Sequence, residues 1–178
     1  YFIMAVKIFT TRSSDPMTEH HNKILILGIG NDILMDDGIG PLIARRLEKD
    51  LLHPDLSFET LNLGGLEILE YIRDYSHVYI IDAIKTSEGQ VGDVFFISPA
   101  DFKETLHLSS LHDVGFLTAL ELAKELSMDV PGEIRIAAIE IREDTVFGTS
   151  LSQELNNKVE EVYRMIREEI LKRLSGKL

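Results

Sequence analysis

The sequence predicts an α/β fold with three layers, α/β/α, around a mainly parallel sheet. Two observations carry this. Short apolar runs of strand length alternate with longer segments of helical periodicity along almost the whole chain. The first run, Lys23 to Ile29 (KILILGI), is apolar without alternation, as a strand buried on both faces requires.

The elements follow in order. From Ile39 to Leu52, Leu42, Ile43 and Leu47 recur at helical spacing opposite Arg45, Arg46, Glu48 and Lys49. Leu56 to Leu63 alternates loosely, as a strand does. After Gly64-Gly65, the apolar residues Leu66, Ile68, Leu69 and Ile72 suit a short helix. Val78 to Ile81 reads as another buried strand, ending at Asp82. Asp93 to Ser98 is a strand, and Pro99 starts a short helix or turn. Phe116 to Leu126 is an amphipathic helix, Glu133 to Ile141 a strand. Leu151 to Leu174 is a long helix with one apolar stripe. The link between Val78–Asp82 and Asp93–Ser98 is short for a crossover. That pair is therefore expected to run antiparallel, which makes the sheet mixed.

Composition narrows the function. At 178 residues and 44% apolar, one core-forming domain is expected, spanning 23–178. Residues 1–22 have loop composition and read as a flexible N-terminal extension, with no clear signal peptide in them. Lys plus Arg is 18 against 30 Asp plus Glu, a net charge of −12. Such a surface repels nucleic acid and anionic lipid, so neither is an expected partner. The absence of cysteine excludes disulfides, thiolate metal sites and a cysteine nucleophile within these residues, and is compatible with a cytoplasmic setting. No apolar run reaches the ~20 residues of a membrane span. With the helical stripes used to cover the sheet, a monomer is expected.

In such folds, sites form where strands end at their carboxyl edge. Three candidates fall there: Asp36-Asp37 after the first strand, Asp82 ending the third, and His112 in a loop before a helix. The strand, glycine loop and helix around Gly28 to Gly40 invite a nucleotide-binding reading. The loop is long, however, and Asp32, Asp36 and Asp37 would repel a pyrophosphate. Either Asp36 or Asp37 alone would serve as a helix cap; two in succession leave one to project outward. Two carboxylates and an imidazole suit nickel, zinc or manganese, or equally acid–base work around a water. Spacing does not separate these roles.

Three segments together resemble one family, the hydrogenase maturation endopeptidases: ILILGIGNDILMDDGIG (Ile24 to Gly40), VYIIDAI (Val78 to Ile84) and SSLHDVGFLTAL (Ser109 to Leu120). The resemblance implies a twisted, mostly parallel five-stranded sheet surrounded by helices. It implies an endopeptidase that removes the C-terminal tail of an immature nickel–iron hydrogenase large subunit, its precursor partner. Matched by motif, Asp37, Asp82 and His112 would contact the nickel, with Asp37 and Asp82 as candidate catalytic groups. The nickel would be carried by the substrate, with none permanently bound to this chain. Many relatives have an Asp-Gly-Gly-Thr run after the second strand, whereas this chain has Thr60-Leu61-Asn62-Leu63-Gly64-Gly65-Leu66-Glu67, with the glycines displaced. Two alternatives stand beside the endopeptidase: a non-enzymatic metal-sensing or chaperone-like module, and a nucleotide-binding protein.

Overall fold

The computed structural model describes residues 23–62, 67–104 and 111–175; the side chains of 102–104 and 111–115 lie outside that description. Residues 1–22 and Gly64-Gly65 therefore fall outside it as well. The elements are β1 (Ile24–Ile29), a 3-10 turn (Met35–Gly38), α1 (Ile39–Asp50), β2 (Leu56–Leu61), α2 (Ile68–Ile72), β3 (His77–Ile84), β4 (Val94–Ile97), α3 (Pro99–Glu104), α4 (Leu111–Glu125), β5 (Glu133–Glu140), α5 (Gln153–Asn156) and α6 (Val159–Ser175).

The five strands form one sheet in the order β2-β1-β3-β5-β4. The pairs β1–β2, β1–β3 and β3–β5 are parallel and β4–β5 is antiparallel. The expected mixed sheet is present, with a different partner. β5 lies between β3 and β4, so the short link from β3 does not make a hairpin. Instead it bends across the end of β5, where Glu140 Oε1 accepts from Thr86 N at 2.7 Å.

The central strands are buried on both faces because their pleat feeds two separate apolar layers. Ile24, Ile26, Tyr79 and Ile81 face one layer with Ile39, Ile43 and Leu47 of α1 and Val162, Ile166 and Ile170 of α6. Leu25, Leu27, Val78 and Ile80 face the other with Ile68 and Ile72 of α2 and Phe116, Leu120 and Ala123 of α4. Each fully buried Leu or Ile contributes about 1.5–3 kcal/mol, so these layers are the main hold on the helices.

Three boundaries differ from expectation. β3 runs two residues past Asp82, because its ladder with β5 continues through Ala83 and Ile84 after β1 has ended. The long C-terminal helix is two helices. Its chain tightens at Asn157-Lys158, where Lys158 N donates to Leu155 O three residues back. α4 starts at Leu111, five residues earlier than the apolar periodicity suggests.

Candidate functional site at the carboxyl edge of the sheet

Among the described residues the buried polar or charged side chains are Asp36, Asp82 and Glu140, at 0%, 4% and 3% exposure. All three sit on or just beyond the carboxyl ends of neighbouring strands: Asp36 after β1, Asp82 late in β3, Glu140 closing β5. A buried carboxylate is costly without partners, so each has to be accounted for.

The turn bearing Asp36 and Asp37 is fixed by glycine. A Cβ on Gly30 (φ +141) would overlap the Asp37 carbonyl oxygen, and one on Gly40 would overlap the carbonyl oxygens of Ile29 and Ile81. The backbone at Gly40 thus presses on β1 and β3 at the residue preceding Asp82. That contact brings the turn against β3. Asp37 is half-buried, and its Oδ2 accepts from Asn31 N at 2.6 Å, closing the loop across six residues. Neither aspartate caps α1; the N-cap is Gly38 and has no side-chain cap.

Asp36 turns inward. Its Oδ1 accepts from Ser152 N at 2.6 Å, and its Oδ2 is buried with no hydrogen-bond partner among the described residues. A second layer of loop, Glu143 to Ser152, is tied over the turn. Met35 N donates to Gly148 O at 2.9 Å, Gly148 N to Ile33 O at 3.0 Å, and Asp36 N to Glu143 O at 3.2 Å. The overlying loop is itself pinned. The Thr145 hydroxyl, then the Thr145 and Val146 amides and nearby Lys85, hold the Glu143 carboxylate below its ordinary range. Lys85 Nζ also pairs with Asp144 at 2.8 Å. Met35, at the centre of the contact, has φ +39, a left-handed conformation that is strained for a side chain of its kind.

Asp82 alternates with Ile81 and Ala83, so it lies on the face of Val78, Ile80 and Ile84, which α4 covers. Its Oδ1 accepts from Ala83 N at 2.8 Å. The C-terminal end of α4 leads to Gly132, whose N–H donates to Ser76 O beside the start of β3. Fifteen helical residues span about 22 Å, so the first turn of α4, with His112, reaches back to the carboxyl edge. His112 is therefore in a helix rather than a loop, and its side chain lies outside the described atoms. The turn bearing Asp37 and the strand bearing Asp82 are in contact. Among the described side chains, no three His, Asp or Glu groups converge closely enough to hold a metal ion.

Sequence reasoning did not single out Glu140, Ser152 or the inward role of Asp36. The acidic pair was the one available signal for Asp36. The site also has an apolar flank that the sequence did not suggest. Ile33, Val146 and Phe147, at 52%, 47% and 79% exposure, lie on the two loop segments that the main-chain bonds join.

Comparison with known proteins agrees with this architecture. A family model described as hydrogenase maturation protease matches residues 41–169, a span that includes Asp82 and His112 and follows the Asp36-Asp37 turn. The hydrogenase 2 maturation protease of Escherichia coli (strain K12) is 32% identical over 109 residues. That match takes in 58% of this chain and 66% of the relative, just under two thirds of its length. Among solved structures, the hydrogenase maturating endopeptidase HybD from E. coli superposes with a TM-score of 0.67 at 25% identity, covering 87% of this chain and 93% of that one. The NiFe hydrogenase maturation protease HybD from Thermococcus kodakarensis gives 0.62 at 23% identity, over 82% and 97%; at that identity it shows the fold alone. With its fold, its edge of carboxylates and a family match over most of its length, the chain belongs to the hydrogenase maturation protease family, a family of peptide-bond hydrolases.

Proposed function

We propose that this protein is an endopeptidase that removes the C-terminal tail of an immature nickel–iron hydrogenase large subunit once that subunit carries nickel. The observation that carries the reading is the meeting of the Asp37 turn and Asp82 at one sheet edge in a chain of this family. Asp37, Asp82 and His112 would contact the nickel held by the substrate; no resident metal is needed. One of the two carboxylates takes a proton from water as its oxygen bonds to the scissile carbonyl carbon. The carbon–nitrogen bond then breaks, and the proton passes to the leaving amine. Substrate nickel beside the carbonyl polarises it or fixes its position.

The setting is proposed to be the cytoplasm and the working form a monomer. No helix among the described residues is long and apolar enough to cross a membrane. The test is incubation with nickel-loaded precursor large subunit, read by intact mass. A shortened subunit that requires nickel is the expected result. A nickel-dependent complex with an unchanged mass would point instead to the metal-sensing module, and no interaction would sink both.

A further inference from the structure

We propose that Asp36 is a positioning residue: by accepting the Ser152 amide it locks the turn beneath the Glu143–Ser152 segment and so aims its neighbour Asp37 at the site. This rests on the endopeptidase reading above. Three observations argue for it. Asp36 is fully buried with one oxygen bonded and the other unbonded, an arrangement that costs stability and that native proteins keep mainly where it serves a site. The bond it does make is short and reaches across 116 residues of chain, adding a side-chain tie to the main-chain bonds that join the same two segments. Its turn is of the 3-10 type, with three residues per turn, so adjacent side chains diverge by about 120°. Asp36 held inward therefore leaves Asp37 directed away from the core, where it is half-buried. The strained Met35 just before the pair means that the turn needs outside support to keep this shape.

The backbone at Ser152 allows a direct test. Its φ of −56° and ψ of 152° suit proline, which has no N–H to donate. Ser152 also caps α5 through its side chain, which accepts from Leu155 N at 3.3 Å. Ser152→Ala therefore loses the cap alone, and Ser152→Pro loses the cap and the bond to Asp36. In parallel, Asp36→Asn keeps an oxygen acceptor and Asp36→Ala does not. All four are assayed for kcat and KM on nickel-loaded precursor, well below each variant's melting temperature. Ser152→Pro is expected at least tenfold below Ser152→Ala in kcat, and Asp36→Ala at least tenfold below Asp36→Asn, with KM changing less than about threefold.

Equal rates within each pair, with wild type active, overturn the proposal. So does an Asp36→Asn as slow as Asp36→Ala, since the hydrogen bond would then not be what matters. Hydrogen exchange at the Asp36 and Asp37 amides, compared between Ser152→Pro and Ser152→Ala, reads the clamp without any substrate. Exchange at least tenfold faster in the proline variant supports the clamp even if wild type leaves the precursor intact, a result that would count against the endopeptidase reading alone. Equal exchange overturns the clamp whatever the activity.

Discussion

The loops that follow β1 and β3 leave the same edge of one sheet, and each is organised by a buried carboxylate, but the two acids are treated differently. Glu140 is saturated: one oxygen accepts from Thr86 N at 2.7 Å and the other from Thr86 Oγ1 at 2.9 Å. Gly89 packs directly on it, and its N–H donates to Thr86 Oγ1. Asp36 has one bond and one bare oxygen, next to a residue of positive φ. The loop after β3 is built for stability. The loop after β1 accepts unfavourable local terms and packs against β3, the strand that carries Asp82. Chains tend to depart from local optimisation where they carry out chemistry.

Four measurements sharpen or break that contrast. The largest effect is expected from Asp82→Asn, which keeps shape and an acceptor for Ala83 N but loses the charge. Precursor processing should fall at least about a hundredfold, on the scale of losing a group at the reacting centre, with stability changed by about 1 kcal/mol or less. A full processing rate would remove Asp82 from the site. Next, His112→Ala should slow processing by about tenfold or more while costing at most ~1 kcal/mol, as for an ordinary surface or capping change. A normal rate beside a normal melt would leave the site without its nitrogen ligand.

Glu140→Ala should reverse the pattern. Losing both acceptors leaves the part-buried Thr86 amide and hydroxyl without their Glu140 partner, which costs about 1–3 kcal/mol, or roughly 2–12 °C in a chain of this size. Turnover per folded molecule at 25 °C should stay within about twofold. If turnover collapses instead, the two loops are not separable.

The smallest effect concerns Tyr79, in the layer between the sheet and α1 and α6. Burial, opposed mainly by Arg173, pushes its hydroxyl from 10.0 up to about 12. Between those values the unfolded chain releases this proton while the folded chain keeps it. Stability that is intact below pH 10 is therefore lost progressively as pH rises towards 12. Tyr79→Phe should flatten that part of a denaturation-against-pH curve and leave processing unchanged; equal slopes would mean that Tyr79 titrates normally.

How much of this was legible depends on the range of the forces involved. Apolar periodicity set the strands and most helices, because the buried runs around Leu25 and Ile80 answer to local pattern. The start of α4 was missed because Leu111 to Gly115 has no apolar stripe and includes a glycine. The partner of β4 was missed because chain proximity favours β3, whereas the Glu140–Thr86 contact, 54 residues apart, folds the link across β5. Asp37, Asp82 and His112 could be named from strand ends and motif resemblance. The burial of Asp36 could not, since it depends on a main-chain amide far along the chain.

That distance has a consequence in time. During synthesis, Asp36 and Asp37 leave the ribosome more than a hundred residues before Ser152 does. Until the segment after β5 emerges and folds back, the turn lacks its clamp, although the Asn31 amide can already bond Asp37. A nascent or truncated chain that stops before Ser152 therefore carries the acidic residues of the turn without the contact that clamps them.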